Sequence, residues 1–194
     1  MTETHLYLVR HGPTHAKSMV GWTDLPADLS DTAAIDRLSD RLPADAVVVS
    51  SDLTRAATTA DAIQGARLRL PHVADLREIH FGKWEMQTWK QIEAKDPHLI
   101  RAYWETPGEI RAPGGESWND ISARVSEAVD HLISTHLGRS LIIVAHFGAI
   151  LTQIQRAGGL SAEQALGHKI DNLSMTHLTH SPTGWATHVI NHIP

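Results

Sequence analysis

Two short apolar runs, Leu6-Tyr7-Leu8-Val9 and Leu141-Ile142-Ile143-Val144-Ala145, each lead within one residue to a histidine, with a glycine one or two residues beyond it. In the first case the continuation is Arg10-His11-Gly12, in the second His146-Phe147-Gly148. Continuous apolar runs of this length, bounded by turn residues, fit strands buried on both faces, which belong to parallel sheets covered by helices. Parallel strands bring their C-terminal ends to one edge, and that is where open α/β sheets build their sites. The two runs thus constrain the architecture and the position of the chemistry together. They predict one pocket that holds both His11 and His146.

The segments between them complete a βα alternation. Residues 4–9 read as a strand, followed by a loop containing Gly12, Pro13, Gly21 and Pro26. A helix from about Asp31 to Leu42 carries Ile35, Leu38 and Leu42 on one face, and Pro43 closes it. Ala46 to Ser50 is a second buried strand, after which Ser51 or Asp52 is expected to cap a helix reaching about Ile63. Arg67 to Leu70 and His72 to Leu76 read as short extended pieces. From about residue 81 to 118, Pro97, Pro107, Pro113 and Gly114-Gly115 break the chain into short helical segments, the pattern of an inserted lid. Ser117 to Asp120 resembles a capping box, and Ile121, Val125, Val129, Leu132 and Ile133 give the following long helix its apolar stripe. Leu141 to Ala145 is a third core strand, with a helix to about Ala157. Leu173 to Thr179 and Trp185 to Ile190 form a hairpin around Ser181-Pro182-Thr183-Gly184. The expected fold is one α/β domain over residues 1–194, a three-layer α/β/α sandwich around a mainly parallel central sheet with a helical lid at about 81–118.

Charge and composition narrow the chemistry. A formal net charge of -5 over 194 residues argues against nucleic acid as a partner, because non-specific affinity for a polyanion comes from accumulated Lys and Arg. Any anion site must be local. The absence of cysteine removes thiolate nucleophiles and cysteine-based metal sites. The 14 histidines include no His-Glu-x-x-His pair, and His11 and His15 are spaced along a loop rather than a helix, so no metal and no cofactor is expected. No apolar run approaches membrane-spanning length and no secretory pattern opens the chain, so a cytoplasmic location is expected.

Three strand ends carry polar groups: Arg10 and His11, then Ser51 and Arg55, then His146. Arg55 falls near the first turn of its helix, where unpaired N–H groups and the positive end of the dipole already favour an anion. Two arginines converging there hold a phosphate dianion by bidentate bonds that lysine cannot copy. The available nucleophile is a neutral imidazole with its other nitrogen fixed by a hydrogen bond. His11 is better placed than His146, because it adjoins an arginine and a glycine.

These residues resemble a known family. Arg10-His11-Gly12-Pro13-Thr14 is similar to the Arg-His-Gly-x-Thr motif of the histidine phosphatase, or phosphoglycerate mutase-like, superfamily. Ser51 to Ala60 resembles its second signature, which supplies a second phosphate arginine. Leu76 to Glu85 resembles the segment holding the acid/base glutamate, and Ala145 to Gly148 the segment holding the second histidine. The resemblance implies that His11 attacks phosphorus, that Arg10, Arg55 and His146 stabilise the transferring group, and that Glu78 protonates the leaving oxygen and then activates water. It implies substrate contacts from Gly12, Lys17, Gly21, Trp22, Thr23 and Phe147. Pro13 and Lys17 depart from the family pattern, which commonly has Glu or Gln at the first position and a phosphate-binding asparagine at the second. Gly82-Lys83-Trp84-Glu85 and Pro113-Gly114-Gly115-Glu116-Ser117 resemble the α-ribazole phosphatase and broad-specificity phosphatase branch.

The expected activity is therefore metal-independent hydrolysis of a small-molecule phosphate monoester. Phosphoglycerate mutase-type transfer and non-catalytic binding of phosphorylated ligands are the alternatives. Trp84, Trp89, Trp104 and Trp118 crowd the lid, where packing of short helices accounts for them better than stacking on a leaving group.

Overall fold

A computed structural model describes residues 3–194, so the first two residues of the expected domain lie outside the described residues. Its centre is a six-stranded sheet built from β1 (Thr4–Arg10), β2 (Val47–Ser50), β3 (Leu68–Arg69), β4 (Ser140–Ala145), β5 (Met175–Ser181) and β6 (Gly184–His192), in the order β3-β2-β4-β1-β5-β6. The strands from β3 to β1 run parallel, while β5 pairs antiparallel with both β1 and β6. The sheet is mainly parallel, as expected, with an antiparallel hairpin at one edge.

Side-chain alternation divides the strand residues between two cores. Leu6 and Leu8 of β1, Val47 and Val49 of β2, and Leu141 and Ile143 of β4 face α5 (Trp118–Thr135) and α6 (Phe147–Gly158). Val9, Val48, Ile142 and Val144 face α1 (Thr32–Arg41) and α2 (Thr54–Gln64). Ile35, Leu38 and Leu42 are buried on that second side together with Ala56, Ala60 and Ile63. This is the three-layer sandwich. Strands β1 and β4 are neighbours, yet the helices that follow them, α1 and α6, lie on opposite faces. A crevice opens between two such strand ends. In the register, Arg10 stands beside Ala145, which places His11 and His146 next to each other at that crevice.

The insertion consists of a 3-10 turn at Gly82–Trp84 and two short helices, α3 (Trp89–Glu93) and α4 (Pro97–Glu105). Thr88 and Gln91 form a capping box for α3, and Pro97 opens α4, where its missing N–H costs nothing. Trp84 meets Tyr103 edge-on at 5.2 Å, and Tyr103 meets Trp104 in the same way at 5.2 Å. Trp84 and Trp118 are buried and Trp104 partly so, whereas Trp89 is 42% exposed. Packing therefore accounts for three of the four lid tryptophans.

Three local expectations need correction. Neither Ser51 nor Asp52 caps α2: the Thr54 N–H and hydroxyl donate to the carboxylate of Asp24 at 2.8 and 2.7 Å, from 30 residues upstream. An orphan N–H at a helix start donates to any well-placed carboxylate, and the loop after β1 supplies one. Asp52 instead pairs with Arg77. The extended reading of His72 to Leu76 holds only at its start: Val73 is extended and its N–H donates to the carbonyl of Ser50 at 2.9 Å, after which Ala74–Leu76 closes into a 3-10 turn. A seventh helix, α7 (Ala162–Leu166), follows α6 and starts at a Ser161/Gln164 capping box that is legible in the sequence but was not part of the expectation.

Candidate active site

His11 and His146 lie with ring centroids 5.0 Å apart at the β1/β4 crevice. The Nδ1 of His11 sits 2.7 Å from the carbonyl of Gly12, which can only accept, so Nδ1 carries the proton. Its Nε2 then presents a lone pair, toward which Nε of Arg55 donates at 3.3 Å. Burial first, and then the guanidiniums of Arg55 and Arg10, push the His11 pKa down to about 3, so the ring is neutral. His146 is fully buried and is held well below its ordinary value by burial and then by His11, Arg55 and Arg10. Both ring nitrogens of His146 and Nε of Arg10 are buried without a hydrogen-bond partner among the described residues. Such groups cost about 1–3 kcal/mol each; the acceptor oxygens of an anion can satisfy the N–H of Arg10 and the single N–H of a neutral His146, but not the other ring nitrogen.

Glu78 follows the Ala74–Leu76 turn and is buried. Its carboxylate accepts from the N–H of Ile79 at 2.9 Å and from that of Gly148 at 2.9 and 3.1 Å. Burial raises its pKa, against the opposing pull of those two N–H groups and of Arg55 and Arg10. The glycine after His146 now has a reason: a Cβ on Gly148 would lie 2.5 Å from Oε1 of Glu78. Gly12 is also closely approached: a Cβ there would lie 2.6 Å from the tip of the Leu29 side chain and 3.2 Å from the carbonyl of Asp28. Its N–H donates to Thr59 of α2 at 3.0 Å, tying the loop after β1 to the helix that carries Arg55.

Arg55, Arg10, His11 and Glu78 line one pocket of about 200 Å³. Phe81 and Phe147 form its apolar side, and Thr14, Ala16, Ser18 and Val20 supply a wall that the sequence reading did not single out. Phe147 also lies under the guanidinium of Arg10, 5.5 Å from ring centre to Cζ. Lys17 is exposed and does not line this pocket, although its neighbours Ala16 and Ser18 do. Gly21, Trp22 and Thr23 do not line it either. The carbonyls of Gly21 and Thr23 accept from Arg55 at 2.6 and 2.9 Å, so this loop holds the arginine in place.

Several residues outside the motifs build the frame. Glu85 accepts from the N–H groups of Gly21, Trp22 and Thr23, from the Thr23 hydroxyl at 2.7 Å and from the N–H of Phe81. Burial alone would raise its pKa, but these donors hold it below the ordinary value. The indole of Trp22 donates to the carbonyl of Glu78 at 2.8 Å, and Arg124 donates to the same carbonyl at 3.2 Å. Arg124 also reaches the carbonyls of Asp75 and Arg77 and pairs with Glu116 at 2.7 Å, while Glu116 accepts from the N–H of His80. The irregular segment around Glu78 is thus clamped from both sides. Asn172 donates to the His11 carbonyl at 2.8 Å. Asn172 gives no sequence signal, while Glu85 and Glu116 fall inside the Leu76–Glu85 and Pro113–Ser117 segments.

Among the described residues no group of three His, Cys, Asp or Glu side chains is arranged to hold a metal ion, and no helix is long and apolar enough to cross a membrane. The arrangement suits an anion held by two guanidiniums beside a neutral imidazole, with a carboxyl group poised to give or take a proton.

Comparison with known proteins agrees with this chemistry. The chain resembles glucosyl-3-phosphoglycerate phosphatase of Mycolicibacterium vanbaalenii at 35% identity over 168 residues, covering 77% of this chain and 72% of that protein. It is 33% identical over 159 residues to the bifunctional protein Rv2228c of Mycobacterium tuberculosis, covering 75% of this chain but spanning only 42% of that protein's length. Among solved structures, Bacillus stearothermophilus YhfR superposes with a TM-score of 0.89 at 29% identity, covering 98% of both chains. The family model of the histidine phosphatase superfamily (branch 1) matches residues 6–193, and the chain belongs to that superfamily.

Proposed function

We propose that the protein is a metal-independent phosphomonoesterase that hydrolyses a small phosphorylated metabolite through a phosphohistidine on His11. The observation that carries this reading is the fixed tautomer of His11, whose Nε2 lone pair accepts only from Nε of Arg55, at 3.3 Å, in the pocket that Glu78 also lines; an incoming phosphate takes over that Arg55 N–H and frees the lone pair for attack. In the first step Nε2 forms a bond to phosphorus and the bond to the leaving oxygen breaks. The departing electron pair stays on that oxygen, which takes the proton of Glu78. The Nδ1–H bond to Gly12 stabilises the positive charge that develops on the ring. In the second step Glu78, now a carboxylate, takes a proton from water as the water oxygen bonds to phosphorus. The N–P bond breaks, its pair returns to Nε2, and inorganic phosphate leaves. Arg10 and Arg55 line the pocket around the transferring group, with the buried His146 packed against His11 behind them, and a loose phosphoryl transition state needs that positioning and positive charge more than covalent assistance. The phosphatase named among the relatives supports hydrolysis as the outcome.

The test is hydrolysis of p-nitrophenyl phosphate in the presence of EDTA, with inhibition by vanadate as a five-coordinate phosphorus mimic. Labelling of the protein by ³²P-substrate is expected in the wild type and absent in His11→Ala. Labelling that survives in His11→Ala would move the nucleophile elsewhere. Phosphate binding without turnover on a panel of monoesters would make the protein a binder instead.

A further inference from the structure

We infer that the substrate's leaving group is an uncharged apolar alcohol, received by a second space on the lid side of Glu78. The inference rests on the phosphoryl-transfer reading above and specifies its substrate class. Glu78, Phe81 and Phe147 line both the 200 Å³ phosphate pocket and a neighbouring cavity of about 30 Å³. With phosphorus at His11, an oxygen that takes its proton from Glu78 has its carbon substituent between Phe81 and Phe147. The chain beyond that oxygen enters the smaller cavity.

The walls of that cavity are Tyr103 and Trp104 from α4, Trp118 from the start of α5, and Leu166 from the end of α7. Their hydrogen-bonding capacity is largely committed: the Tyr103 hydroxyl donates to the carbonyl of Glu116 at 3.2 Å, and the Trp118 indole donates to Gln155 at 2.6 Å. No cation lines the cavity. The arginines of the lid and its flanks are already paired, Arg77 with Asp52, Arg101 with Glu93, Arg111 with Asp120 and Arg124 with Glu116. A carboxylate on the leaving group would therefore be desolvated beside Glu78 with no counter-charge, which is strongly unfavourable. An aryl or branched alkyl group loses only water-exposed apolar surface there. The smaller cavity takes the far edge of an apolar group whose remainder lies in the larger pocket.

The experiment compares kcat/KM for benzyl and 2-phenylethyl phosphate with that for O-phospho-L-serine and 3-phosphoglycerate. All four release a primary alkoxide, so the comparison reads the leaving group's surface and charge. Burial of the ring is expected to favour the two arylalkyl esters by at least about tenfold. Trp104→Ala, which removes a wall, is expected to bring the two groups within about threefold, the loss that removing most of that burial produces. Leu166→Lys, at a partly exposed position that tolerates a charge, is expected to shift preference toward the carboxylate-bearing esters. Equal or better turnover of 3-phosphoglycerate or phosphoserine by the wild type would overturn the inference and leave the phosphatase reading standing. Failure to hydrolyse any of the four esters or p-nitrophenyl phosphate would overturn the phosphatase reading, and the inference with it.

Discussion

At His11 and Glu78 a single cause works in opposite directions. Removal from water disfavours the charged form of each group, so the imidazole is pushed down to about 3 and the carboxyl is pushed up. A neutral imidazole and a protonated carboxyl then coexist at the pH values between those two transitions, as the proposed mechanism requires. The expected kcat/KM profile falls on the alkaline side as Glu78 loses its proton, and the Glu78→Gln enzyme is expected to lack that limb and to lose about 10²- to 10⁴-fold in rate. Stability moves in the same direction. Because the folded pKa of Glu78 is raised, its contribution is full below the unfolded value and is lost as pH rises through the folded one. Glu78→Gln should therefore melt no lower than wild type above neutrality, with any advantage vanishing in acid; a Tm loss confined to alkaline pH would contradict the assigned shift. The five residues of this site were legible because three lie at strand ends next to apolar runs and all five fall in family-like segments. Glu85, Arg124 and Glu116 were not assigned their roles, because they satisfy main-chain groups far away in the chain, and no periodicity or spacing encodes such a partner.

Between Asp75 and His80 the chain is largely irregular, so the position of Glu78 depends on what holds its carbonyls. Arg124 on α5 binds three of them, and its partner Glu116 binds the N–H of His80. Charge-assisted bonds of this kind contribute about 1.5–3 kcal/mol each. Arg124→Met is expected to loosen proton delivery, which matters most for poor leaving groups. Its kcat/KM on alkyl phosphates should fall about tenfold further than on p-nitrophenyl phosphate, whose leaving oxygen needs little protonation. An equal loss across the series would reduce Arg124 to general scaffolding. The loop at Gly21–Thr23 carries the same lesson. The family-like sequence implied substrate contacts there, yet its carbonyls hold Arg55, because a guanidinium with five donors brought out of water must be satisfied on every side. Lys17 has no such requirement and stays in solvent.

The lid and the sheet share one apolar cluster, in which Trp84, Tyr103 and Trp118 join Leu6, Leu8 and Ile143. Trp84→Ala is therefore expected to cost about 3–5 kcal/mol, as large-to-small changes in a core do. The loss should appear as one cooperative urea transition moved to lower denaturant. A separate early transition confined to lid signals would make residues 81–118 an independent unit and contradict the single-domain expectation. By itself the sequence determined the strand runs, the helix stripes, the capping boxes and the chemical types at the sheet edge, because each depends on residues within one or two turns of one another. Only the tertiary structure decided that β4 lies beside β1, that Asp24 caps α2, that Lys17 stays outside the pocket, and that Glu78 faces an apolar cavity. Each of those rests on contacts between distant segments, chosen by burial and by the need to pair every buried polar group, and local pattern carries no record of them.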